Sequence, residues 1–88
     1  MTITDHWSVD VYLDERDNET RAEALVRRER DEVRGHGRAR RHPADWNVPQ
    51  IGAELAASRA LADLAHKLLD AAASDIESVT HERVRLTH

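Results

Sequence analysis

The side chains of this chain with the most chemical potential are its arginines. Seven lie between positions 26 and 42 (Arg27, Arg28, Arg30, Arg34, Arg38, Arg40 and Arg41), against Glu29, Asp31 and Glu32. Residues 1–20 are the reverse, with six acids against Arg16 alone. Of the 13 basic residues all but Lys67 are arginine. A guanidinium offers planar, two-pronged recognition of phosphate or carboxylate, where an ammonium is a point charge. The pattern of residues 33–40 orders these groups. If Val33, Gly35, Gly37 and Ala39 share one face of a strand, Arg34, His36, Arg38 and Arg40 form a row on the other. Arg41 and His42 extend the row, and Arg27 lies alongside. Cations two residues apart on a strand are about 6.7 Å apart, which suits successive phosphates, and phosphate contacts supply most non-specific affinity for nucleic acid. The candidate nucleic-acid-binding set is therefore Arg27, Arg34, His36, Arg38, Arg40 and Arg41. The plainer alternative is a solvated or dimer-forming face, because Asp10, Asp14 and Glu23 would neighbour the row and cross-strand ion pairs would consume its charge. Tyr12 is the one aromatic available for stacking there, so contact with backbone or shape is expected rather than base reading.

Other chemistries find little support. The six histidines (His6, His36, His42, His66, His81 and His88) fall in no His-x-x-x-His or His-Glu-x-x-His pattern, and no metal site is expected. Acids number 17 of 88 residues, too many for any pair to stand out as a general acid and base. Such pairs need a concave, partly desolvated pocket, which a small sheet under one helix rarely offers. The absence of cysteine removes thiolate and disulfide chemistry. Ser8, Ser58, Ser74 and Ser78 lie in no nucleophile-elbow context. Gly35-His36-Gly37 is followed by strand-like residues and lacks the third glycine of a phosphate loop. A non-enzyme with no cofactor and no small-molecule substrate is expected.

The elements that must position the arginines are legible in part. Eighty-eight residues make one domain, expected over 1–88 with its core at about 6–82. Residues 6–14 alternate, with Trp7, Val9, Val11 and Leu13 on one face of a half-buried strand. Asp17-Asn18-Glu19 is a polar break suited to a turn. Residues 20–28 could be read as helix from their Ala and Glu, but Ala22, Ala24 and Val26 alternate with polar neighbours and a matching alternation follows Arg30-Asp31-Glu32. Two glycines two apart argue against a helix at 35–37 and suit close approach of another backbone.

Residues 42–49, with two prolines, form a loop. Asn47 and Gln50 resemble a capping box, and Pro49 suits a first turn. A helix is expected over about 49–73, carrying Ile51, Leu55, Leu61, Leu64, Leu68 and Leu69 at three- and four-residue spacings. Acids at Asp45 and Glu54 suit its dipole rather than catalysis. Ser74 or Asp75 would cap a short last helix, with Thr80 to His88 extended. The expected fold class is α+β: three antiparallel strands, one long helix and a short C-terminal helix.

With no Phe, the core must come from Ala, Leu, Val and Ile, and a core so thin raises the expectation of a homodimer. A helix of about 23 residues is about 34 Å long and overhangs strands of about 25 Å, which points the same way. No apolar run reaches the ~20 residues of a membrane span, and Met1–His6 lacks a signal peptide's basic and apolar regions. A cytoplasmic location is expected.

Four blocks carry a resemblance: Gly35-His36-Gly37-Arg38-Ala39-Arg40; Pro43-Ala44-Asp45; Val48-Pro49-Gln50-Ile51-Gly52-Ala53-Glu54-Leu55; and Ser58-Arg59-Ala60-Leu61-Ala62-Asp63-Leu64. With Asp75-Ile76-Glu77 and Thr80-His81, they resemble the actinobacterial dsRBD-like domain of unknown function, whose members include small mycobacterial dormancy-associated proteins. The resemblance implies a three-stranded sheet followed by helices, a dimer, and a shape similar to ribosome hibernation-promoting factors. It thereby implies a stress or stationary-phase role at the ribosome or on rRNA. The chain departs from both types at two points. The lysine cluster of double-stranded RNA-binding domains is replaced by Gln50-Ile51-Gly52-Ala53-Glu54, and the net charge is −4 where hibernation factors are basic. Two functions therefore stand: a non-catalytic stress protein on ribosome or structured RNA, or a dimeric protein-interaction module with no nucleic-acid role. Steep salt dependence marks the first.

Overall fold

The computed structural model describes residues 2–40 and 49–86. Three strands, β1 (Val9–Arg16), β2 (Glu19–Arg27) and β3 (Glu32–Arg40), precede one helix, α1 (Pro49–Thr80). The strands form an antiparallel sheet in the order β1-β2-β3. The first strand thus starts later and runs further than the expected 6–14. The loop and the Asn47 cap expected before the helix lie outside the described residues.

The turns set the register. Asp17 and Asn18 both take left-handed φ, 52° and 65°. Such two-residue turns match the right-handed twist of the strands they join. Glu19 therefore belongs to β2, not to the turn, and Arg16 stands opposite it. Between β2 and β3, the Arg28 N–H donates to the Asp31 carbonyl at 2.8 Å. The Arg28 guanidinium clasps the Asp31 carboxylate through two bonds of 2.8 and 2.6 Å.

The short C-terminal helix is not there; α1 runs unbroken through Ser74 and Asp75. The preceding Ala71-Ala72-Ala73 is strongly helix-forming, and mid-helix Ser or Asp costs only about 0.5–0.7 kcal/mol relative to alanine. No Gly or Pro stands between Ala53 and Thr80 to stop the helix. It ends at His81, whose φ of 60° fills the position that glycine usually takes. The His81 N–H closes the last turn on the Glu77 carbonyl at 2.7 Å. Thirty-two helical residues span about 48 Å.

The core is made mostly of alanine. Ala22, Ala24, Val26 and Ala39 of the sheet meet Ala56, Ala60 and Leu64 of α1, with Val33 and Leu68 at the margin. Register places Gly37 beside Ala22 and Gly35 beside Ala24. A Cβ at Gly35 would fall on the Ala60 carbonyl and the Leu64 amide, 2.7 Å from Leu64 Cα. One at Gly37 would fall on the Ala60 amide and the Ala56 carbonyl, 2.8 Å from the Arg59 carbonyl carbon. Backbone lies on backbone here, and neither side can rotate away.

The helix rests on β3 and β2 and scarcely touches β1. Two of its polar side chains reach β3. Arg59 donates to the Arg38 carbonyl at 2.6 Å, and Asp63 accepts from the His36 N–H at 2.8 Å. Since β3 is an edge strand, these bonds satisfy backbone groups that have no ladder partner. The inward stripe is narrower than the sequence suggests. Ile51, Leu55 and Leu61 are exposed, because a seat two strands wide takes only the arc of Ala56, Ala60 and Leu64.

Gly37→Ala should lower stability by about 3 kcal/mol, near the upper end of ordinary overpacking. The check is the urea midpoint, which should fall while its slope stays the same. An unchanged midpoint would mean that the helix can lift without loss.

Candidate nucleic-acid interface

The sheet face turned away from α1 is a grid of charges. Its rungs read Arg16–Glu19–Arg40, Asp14–Arg21–Arg38, Tyr12–Glu23–His36 and Asp10–Leu25–Arg34 across β1, β2 and β3. The alternation of buried Gly35, Gly37 and Ala39 with exposed neighbours puts Arg34, His36, Arg38 and Arg40 on this face, as the sequence implies. Arg41 lies outside the described residues.

The row is not uniformly cationic. Arg34 is held by Glu23, and by Glu32 at 2.7 Å. Its hydrogen bond to Glu32, then that to Glu23, raises its pKa above the usual guanidinium value. Arg27 sits 3.5 Å from Glu32, and His36 Nδ1 lies 3.9 Å from Glu23. Three of the sequence-predicted residues are thus matched by acids. Arg38 shares Glu19 with Arg21, at 3.7 and 3.2 Å. Arg40 makes no ion pair among the described residues, and neither does Arg16. Arg38 and Arg40 are therefore joined by Arg16 and Arg21, which the strand pattern of residues 33–40 alone leaves out. The two-residue Asp17-Asn18 turn was the available signal, since it fixes who stands opposite whom.

Helix α1 holds this strand in place. The Asp63 carboxyl is kept below its usual value of 3.8 by the His36 N–H first and then by Lys67, whose Nζ lies 3.1 Å away. The face itself is shallow. One hollow of about 330 Å³ is lined by Arg21, Ala22, His36, Gly37 and Arg38. Among the described residues no group of three or more His, Asp or Glu side chains could hold a metal ion. What the face offers is an array of guanidinium donors.

The opposite side of β1 is apolar and uncovered. Val9, Val11 and Leu13 pair with Val26, Ala24 and Ala22, so they point to the helix side. Because α1 sits over β2 and β3, they stay 45%, 36% and 50% exposed, and Trp7 is 50% exposed. At 100° per residue, Arg59 and Asp63 turning toward β3 put Leu61 and Leu68 on the flank toward β1. Leu55, Ala62, Leu69 and Ile76 recur every seven residues farther round the helix. The first strand is therefore not half-buried as its alternation predicts: its apolar face is present, but all eight of its residues are exposed because its own helix does not cover it.

Residues 5–85 match the Rv2632c-like family. The chain is 46% identical over 86 residues to an uncharacterized protein of Mycobacterium bovis, across 98% of this chain and 92% of that one. It is 44% identical over 92 residues to the uncharacterized protein Rv2632c of Mycobacterium tuberculosis, across 100% of this chain and 99% of that one. The crystal structure of Rv2632c superposes with a TM-score of 0.84 at 43% identity, covering 92% of this chain and 96% of the other. Three antiparallel strands followed by one long helix are thus the fold on both counts.

Asp63 gives the strand a pH dependence. Its folded-state pKa is depressed, so its contribution is full above roughly pH 4 and is lost as pH falls through the folded value. The melting temperatures of the native chain and Asp63→Ala should differ by a constant amount from pH 5 to 7. The gap should narrow below about pH 4. A gap independent of pH would mean that Asp63 acts by packing alone.

Proposed function

The chain belongs to the Rv2632c-like family, and we propose that it is a non-catalytic RNA-binding protein that lays the open face of its sheet on the phosphate backbone of structured RNA, at the ribosome. The observation that carries this reading is the meeting of arginines from all three strands on one flat, helix-free face. Guanidinium pairs suit phosphate, and the lone Tyr12 leaves little to stack on bases. Shallow surface hollows favour binding over turnover. The resemblance to dormancy-associated, dsRBD-like proteins adds a stress-type role in the cytoplasm. No helix among the described residues is long and apolar enough to cross a membrane.

Co-sedimentation with ribosomes at two salt concentrations tests the reading. Four phosphate contacts predict a loss of affinity of about 50- to 150-fold between 50 and 200 mM salt. Binding indifferent to salt, or none at low salt, would sink it.

A separate observation favours a second reading, a homodimeric interaction module with no nucleic-acid role. Val9, Val11 and Leu13 with the Leu61 flank of α1 form one apolar surface that a second copy would cover. Sedimentation equilibrium should then give a dimer for the native chain and a folded monomer for Val11→Lys. A native chain that stays monomeric at tens of micromolar, the range of even weak association, would remove this reading.

A further inference from the structure

We propose that the phosphate site is a cluster of four arginines at the β1–β2 hairpin end of the open face, namely Arg16, Arg21, Arg38 and Arg40. Glu19 fills this site in the free protein as a built-in counter-anion, and backbone phosphates of RNA displace it. The proposal rests on the RNA-binding reading and gives that reading an address.

Register builds the cluster. Arg21 and Arg38 stand directly opposite each other, an arrangement that repels unless something lies between. Glu19 is that something. Its Oε1 sits 3.2 Å from Arg21 Nε and 3.7 Å from Arg38 Nη1, and its side chain is only 22% exposed. On its own rung Glu19 has Arg16 on one side and Arg40 on the other, each a strand spacing of about 4.8 Å away. Arg16, Glu19, Arg21 and Arg40 line one hollow of about 270 Å³, together with Asp14 and Asp17. One carboxylate is thus shared among guanidinium groups that could hold more anion than it supplies. Arg16 and Arg40 keep their donors unengaged among the described residues.

The opposite end of the face differs in kind. There Arg27 and Arg34 face Asp10, Glu23 and Glu32, and both arginines are already paired. At the hairpin end four arginines face three acids. Arg38 and Arg40 lie about 6.7 Å apart along β3, so two neighbouring phosphates can be taken side by side. A phosphate entering must push Glu19 aside, since both need the same donors. That competition gives the proposal an unusual sign: removing the acid should strengthen binding.

The test is fluorescence anisotropy with a labelled 20-base-pair RNA duplex at 50 and 200 mM salt, using the full chain. Each variant is first checked for an unchanged melting curve. Glu19→Gln should bind about two- to five-fold tighter than the native chain, the scale of one exposed ion pair. Arg16→Gln combined with Arg40→Gln should weaken binding at least tenfold and flatten the salt slope by about two. Arg27→Gln with Arg34→Gln should lose less than a third of that. No binding by the native chain or by Glu19→Gln would overturn the RNA reading itself. Salt-sensitive binding that survives loss of Arg16 and Arg40 would overturn the cluster while leaving the RNA reading in place. Equal or weaker binding by Glu19→Gln would remove the counter-anion role.

Discussion

The contact of the α1 backbone with the β3 backbone, made through Gly35 and Gly37, is the constraint on which the rest depends. Side chains normally keep packed layers well apart, about 10 Å for stacked sheets. Here two missing Cβ atoms let the helix sink, and the alanines at 22, 24, 56 and 60 complete the seat. An alanine methyl buries little apolar area, so this core gains less from the hydrophobic effect than one of leucine would. It relies instead on many close contacts, each worth only about 0.1–0.2 kcal/mol. Such contacts vanish with small displacements. The bonds of Arg59 to the Arg38 carbonyl and of the His36 N–H to Asp63 oppose sliding of the helix along β3.

Sinking the helix over β2 and β3 decides the character of both faces. It leaves β1 with an apolar row and nothing above it. It also leaves the far side of the sheet without a helix over it, so that side can carry charge on most of its rungs, around Tyr12 and the buried Leu25. On that side the arginines are paired with acids, except for Arg16 and Arg40 near the Asp17-Asn18 turn, which make no ion pair among the described residues. An acidic chain thereby keeps one locally cationic corner. Local potential of that kind, not net charge, decides where a polyanion first touches.

Much of this could be read from residues in order. The alternation of 33–40 gave both the glycine face and the arginine row, because period-2 patterns survive any detail of pairing. The membership of the cluster was not legible that way. Arg16 and Arg21 come from other strands, and their place depends on a turn of two residues rather than three. The neutralisation of Arg34 depends likewise on Glu23 and Glu32 standing next to it in space. Local preference alone cannot place the end of the helix, because Ser74 and Asp75 are good caps and also tolerable helix residues. Helical periodicity turns Ile51, Leu55 and Leu61 inward because it marks an apolar side without saying how wide the sheet beneath it is.

The partial sealing of β3 carries a topological consequence. Asp63 and Arg59 occupy the His36 N–H and the Arg38 carbonyl of its outer backbone, which hinders extension of the sheet from β3 and leaves β1 the more open edge. A building block with one live edge behaves unlike one with two. Joined edge to edge with a copy of itself, it makes a closed pair related by a two-fold axis, and no live edge remains. A sheet with both ends open could run on into a fibre. In a small chain with an apolar first strand, the helix residues that hold the fold together also limit its growth.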